Sequence, residues 1–173
     1  MEAAPADLAA FCAREWARLV GTLTLYTGDP SLGEELAQEA LARVCRDWPK
    51  VRDLESPGGW AHRVGVNLAI SQRRRQRSAR RAASRLAQRS ESAITSDVAG
   101  AMAIRVAVMK LPERQRRALV LRYYADLSVR EVADAMHVPE GTVKTLTRKA
   151  IAALRAGNLL GDAEPEKEET DVH

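Results

Sequence analysis

Aromatic side chains are scarce in this chain: three Trp, three Tyr and one Phe make up 4% of its 173 residues. A core of strands rich in aromatic and β-branched residues is not indicated, and Ala, Leu and Val supply most of the apolar content, so the expected fold class is all-α. Cysteine is nearly absent. Cys12 and Cys45 are too few and too far apart in the chain for a disulfide framework or a zinc site, and read as buried or idle thiols. No apolar run approaches the ~20 residues that a bilayer-spanning helix needs, so no membrane insertion is expected. The opening MEAAPADLAAF has acids where a secretory leader carries bases, which points to a cytoplasmic location. A glycine-rich phosphate loop and an HExxH motif are missing, and His62, His137 and His173 suggest no catalytic triad. The chain therefore reads as a non-enzyme without cofactor or metal.

What the chain does have is segregated charge. The overall formal charge is +4, yet the segment after Gly161 holds six acids against Lys167 alone, a net of −5 that leaves +9 for the rest. A basic body of this kind suits a polyanionic partner such as nucleic acid. Between Arg73 and Arg89 stand eight arginines and no acid, followed by the small, polar SESAITSDVAG. The change of composition reads as a domain boundary with a flexible linker.

Near the end of the chain, Ser128 precedes Glu131 by three residues, the reciprocal cap that opens a helix, here at Val129. Val132, Ala133 and Met136 share one side, and the passage through His137, Val138, Pro139 and Gly141 breaks the helix and permits another. In that second helix Val143, Leu146, Ala150 and Leu154 fall on one arc, with Lys144, Thr145, Arg148 and Lys149 largely outside it. A helix-turn-helix places the start of its second helix in a DNA major groove, where these side chains would meet base edges. A plain helical hairpin with a solvated basic face fits this stretch as well.

Earlier, Leu8 to Tyr26 reads as a helix with Phe11, Trp16, Leu19, Val20 and Leu23 in apolar contact. Asp29 caps the next, with Pro30 in its first turn and Pro49 expected to close it. Leu32, Leu36, Ala40, Val44 and Trp48 line one side, opposite a mainly acidic and polar face. Ser56 and Pro57 open a third helix with Trp60, Val64 and Leu68 on one stripe and Val66 and Ile70 on another, running into QRRRQRSARR. A compact four-helix unit is expected from Ala99 on, ahead of a disordered acidic tail.

In this order and spacing, EELAQEALARVCRDW, WAHRVGVNLAISQRRR and LPERQRRALVLRYYADLSVREVADAMHVPEGTVKTLTRKAIAALR resemble the bacterial sigma-70 family of RNA polymerase sigma factors, and more narrowly its minimal extracytoplasmic-function group. The resemblance implies a region 2-like domain over 1–78, a linker over 79–98, a region 4-like helix-turn-helix domain over 99–157 and a tail over 158–173. It implies that Glu35, Gln38 and Glu39 bind core polymerase at the beta-prime clamp, with the beta flap as a further contact. Trp60, Arg63 and Asn67 would act at the minus-ten element of promoter DNA, where Trp60 has a core-anchor alternative. The loop from Arg52 to Pro57 matches where such proteins capture a flipped base. Arg73, Arg74, Arg75 and Arg77 would hold phosphates, contacts that position without reading sequence. Thr142, Lys144, Thr145, Arg148 and Lys149 would read the minus-thirty-five element. An anti-sigma factor is a further implied partner. Leu146 and Thr147 depart from the pattern of many relatives, as does Ser71, which bears on promoter sequence. The rival reading is a stand-alone helix-turn-helix regulator that binds DNA without polymerase.

Overall fold

The computed structural model describes residues 5–83 and 99–157 as seven helices, with no strand among the described residues. The acidic tail, most of the expected linker and the side chain of Arg77 lie outside the described residues.

Helix α1 (Ala6–Thr27) ends where Gly28 takes φ +81°, a left-handed conformation that spares glycine the Cβ penalty, and donates its amide to the Thr24 carbonyl at 2.8 Å. The chain reverses at once. Asp29 caps α2 (Pro30–Val51), its Oδ1 accepting from the amides of Ser31 at 3.0 Å and Leu32 at 3.2 Å. Gly33 lets the two helices meet closely beside this turn: a Cβ there would collide with the Thr24 side chain and lie 2.8 Å from the Thr24 amide nitrogen. At the far end the Phe11 and Trp48 rings lie 5.1 Å apart, and the Trp48 indole donates to the Asp7 carboxylate at 3.1 Å.

Pro49 does not close α2. The helix runs on to Val51, one proline N–H being lost from a ladder that resumes with Arg52 donating to the Trp48 carbonyl at 2.9 Å. Trp16 departs from expectation too, at 37% exposed instead of in the apolar seam. The antiparallel pairing also changes the cysteines. Cys12 and Cys45, far apart in sequence, become neighbours, and burial first, then Cys45, pushes the Cys12 thiol up to about 11.

Helix α3 (Pro57–Ala83) packs across both, opened by the Ser56 hydroxyl accepting from the Gly59 amide at 3.2 Å. Its buried stripe is Ala61, His62, Val66 and Ala69, while Trp60, Val64, Leu68 and Ile70 are half-buried. His62 belongs to the buried interior. It is 1% exposed, with Nε2 3.8 Å from Oε2 of Glu15, itself 4% exposed.

Helices α5 (Glu113–Tyr123), α6 (Val129–Met136) and α7 (Glu140–Ala156) pack on one another. The expected cap at Ser128 is present: its hydroxyl accepts from the Glu131 amide at 3.2 Å, and the Glu131 carboxylate accepts from the Ser128 amide at 2.8 Å. α6 stops at His137, which takes φ +54°. In α7 Val143, Ala150 and Leu154 are buried and Leu146 is half-buried. The deeper position on that stretch belongs to Thr147, whose hydroxyl is satisfied by the Val143 carbonyl at 2.7 Å. Helix α4 (Ala99–Lys110) packs principally on α1 instead of completing a four-helix unit with α5 to α7. α5 also touches α1 and α3, so the two halves of the chain are in contact.

Candidate functional site

Three exposed surfaces carry the residues singled out in the sequence. On α2, burial of Leu36, Ala37 and Ala40 turns Glu35, Gln38 and Glu39 to solvent. Glu39 is tied along the helix to Arg43, Oε1 to Nε 2.9 Å, which leaves Glu35 and Gln38 at the centre of the polar face.

On α3, Trp60, Arg63, Asn67 and Arg74 share one helical face, opposite Ala61 and Ala69. Asn67 and Arg74 are exposed, Arg63 is half-exposed, and Arg75 is exposed on a neighbouring face. Arg73 is half-buried. Trp60 packs one side against the core and turns the rest toward a cavity of about 170 Å³, so the anchoring and exposed roles coexist in one side chain. Leu54, Glu55 and Ser56, from the loop ahead of α3, line the same cavity.

On α7, the first three turns present Lys144, Arg148 and Lys149 to solvent, with Thr142 and Thr145 half-exposed. Thr145 donates its hydroxyl to the Gly141 carbonyl at 2.9 Å, leaving its methyl and an oxygen lone pair outward. These five residues lie together because Val143, Thr147 and Ala150 are pulled into the core.

The sequence reading overlooked the basic run at the start of α5. Arg117 donates through Nη2 to the Asn67 Oδ1 at 2.8 Å and to the Ala135 carbonyl at 2.6 Å, which joins the second half of the chain to the α3 face. Burial pulls its guanidinium below the ordinary value. Arg116, only 2% exposed, sits 5.2 Å over the ring of Tyr26. The available signal was two adjacent arginines directly ahead of Ala118, Leu119, Val120 and Leu121, four consecutive residues that bury α5 on every side, so that cations beside them must find partners. Among the described residues no cluster of His, Cys, Asp or Glu is arranged to hold a metal, and no helix is long and apolar enough to cross a membrane.

Two family descriptions match the chain: "Sigma-70 region 2" over residues 13–79 and "Sigma-70, region 4" over residues 101–154. An uncharacterised protein of Rhizobium meliloti (strain 1021) is 32% identical over 167 residues; the match takes in 88% of this chain but 38% of that protein. The RNA polymerase sigma-E factor of Streptomyces coelicolor is 28% identical over 73% of this chain and 72% of its own length. The ECF RNA polymerase sigma factor SigW of Bacillus subtilis is 25% identical over 74% of this chain and 76% of its own length. In fold, the chain is similar to the sigma factor RpoE of Bartonella quintana, solved with the anti-sigma factor NepR, at a TM-score of 0.77 and 16% identity, covering 90% of this chain and 98% of that one.

Proposed function

Because this chain belongs to the sigma-70 family of RNA polymerase sigma factors, in its extracytoplasmic-function group, we propose that each of its three exposed surfaces performs one step of promoter-specific initiation. Glu35, Gln38 and Glu39 on α2 dock the chain on the beta-prime clamp of core polymerase. A polar, mainly acidic face suits a basic partner helix pair, and charge complementarity of this kind sets register and on-rate. Trp60, Arg63 and Asn67 engage the minus-ten element as it is unwound, Trp60 offering a stacking surface and Asn67 an amide for base edges. Arg73, Arg74, Arg75 and Arg77 hold the backbone beside it. Thr142, Lys144, Thr145, Arg148 and Lys149 read the minus-thirty-five element from the major groove, while the helix-turn-helix half rests on the beta flap.

The domain limits follow the same scheme, with region 2 over 1–78 and region 4 over 99–157. The chain supplies no catalysis of its own, acts in the cytoplasm where its polymerase is, and is open to control by an anti-sigma factor.

The observation that carries this reading is the exposure, on separate helices, of a mainly acidic α2 face and a basic α7 face, each backed by buried residues, Leu36, Ala40, Val44 and Trp48 on α2 and Val143, Thr147, Ala150 and Leu154 on α7. A lone DNA-binding regulator has no use for the first. Gel filtration with bacterial core polymerase tests it: the parent chain co-elutes with core, and the Glu35→Lys, Gln38→Ala double variant elutes alone. Failure of the parent to bind core, together with a shift of a specific duplex by the parent alone, would replace this reading with the free-standing regulator.

A further inference from the structure

The α1–α2 hairpin brings the two cysteines of the chain together. Thr24 meets Gly33 near the turn. Twelve residues back from the first and twelve forward from the second stand Cys12 and Cys45, which therefore lie at one level of the antiparallel pair. Beside that level the Phe11 ring lies 5.1 Å from the Trp48 ring. Each cysteine also borders the buried stripe through which the helices meet. Cys12 follows Leu8 by four residues and precedes Leu19 by seven, while Cys45 follows Leu41 by four and precedes Trp48 by three, and all four of these neighbours are buried. Cys12 packs against the core, Cys45 is exposed, and both are free thiols. After burial, Cys45 is what raises the Cys12 thiol, as two sulfurs side by side cannot both take a negative charge cheaply.

We propose that Cys12 and Cys45 are a reversible disulfide site, open as two thiols under reducing conditions and closed by a low-molecular-weight disulfide into a covalent staple between α1 and α2. Cys45, the exposed member, reacts first: it loses its proton, and its thiolate sulfur attacks the small disulfide, forming a mixed disulfide and expelling one small thiolate. Cys12 then loses its proton, and its sulfur attacks the Cys45 sulfur and expels the second small thiolate. The protein gives up two electrons, the small disulfide is reduced to two thiols, and the two cysteine protons pass to the departing sulfurs. The closing step is the slower one, because Cys12 is the thiol that holds its proton. Exposure of Cys45 leaves the bond open to attack by a reducing thiol, the property of labile disulfides as opposed to purely structural ones. The staple fastens to α1 the helix that carries Glu35 and Gln38. It constrains the unfolded chain and so stabilises the hairpin.

The full-length chain tests this after incubation with oxidised glutathione, removal of the excess, intact mass measurement, peptide mapping without reductant, and urea melts. The expected product is a monomer lighter by two hydrogen atoms, with one linked peptide pair holding Cys12 and Cys45. Its urea midpoint is higher than that of the reduced chain by about 1 M, and dithiothreitol reverses both changes. Cys12→Ser is expected to keep one glutathione on Cys45 and to gain no stability. Because the parent is compared with itself, oxidised against reduced, a folding defect in that variant does not decide the matter. A parent that keeps glutathione on Cys45 beside a free Cys12, or that links two chains through Cys45, overturns the site, since the two sulfurs then do not meet. An internal disulfide with an unchanged or lower midpoint overturns the staple, since closure then distorts the hairpin it was to hold.

Discussion

His62 shows how a single buried residue links sequence to stability. Burial, and secondarily the positive charge of Arg18, lowers its pKa to about 4 from an ordinary 6.5, and the Glu15 carboxylate at 3.8 Å does not offset this. Folding therefore requires the neutral imidazole. The unfolded chain binds the proton below about pH 6.5 and the folded chain only near pH 4, so stability is full above the first value and falls as pH drops toward the second. The loss due to this residue is about 2 kcal/mol by pH 5. Urea melts of the parent and His62→Gln at pH 7 and pH 5 check it: the parent loses more stability than the variant over that interval, and equal losses would remove His62 as the cause.

Among the elements, the α1–α2 hairpin depends most on a single position. A Cβ at Gly33 meets backbone and side chain of Thr24 where the helices cross, and neither atom can swing aside as a long side chain would. Gly33→Ala is expected to destabilise by about 2 kcal/mol, the usual cost of overpacking, in spite of the better helix propensity of alanine. Gly141, in the first turn of α7, is the matched control. A Cβ there meets nothing within 4 Å, so Gly141→Ala should be neutral or stabilise by up to about 1 kcal/mol. Denaturant midpoints separate the two, and a neutral Gly33→Ala would mean that the hairpin yields at this crossing. The Pro49 interruption belongs to the same scale: its neighbours Trp48 and Val51 are buried, and their packing carries α2 past a residue that breaks isolated helices.

At the scale of the whole molecule, the body's excess of positive charge should make promoter binding steeply salt-dependent. Each duplex phosphate neutralised contributes about −0.9 to the slope of log affinity against log salt concentration. Lys149→Ala is expected to flatten the slope by about that amount on any duplex. Arg148→Ala should in addition weaken the promoter more than random DNA, by about 1–3 kcal/mol if it reads a base. Equal loss on both duplexes would assign Arg148 to phosphate alone. Much of this was legible in the linear chain, because helix periodicity, the Ser128–Glu131 cap, the Asp29 cap and the basic start of α7 are local patterns, set within one or two turns by backbone hydrogen bonding and side-chain polarity. The helix count and the outward faces of α2 and α7 followed from those patterns alone. Contacts between distant segments did not, since no local rule pairs Arg117 with Asn67, Cys12 with Cys45 or His62 with Glu15. Those pairings, the exposure of Trp16 and the seating of α4 on α1 were settled by how the helices cross, where volume, burial and the partners available to buried polar atoms outweigh the preferences of any one segment.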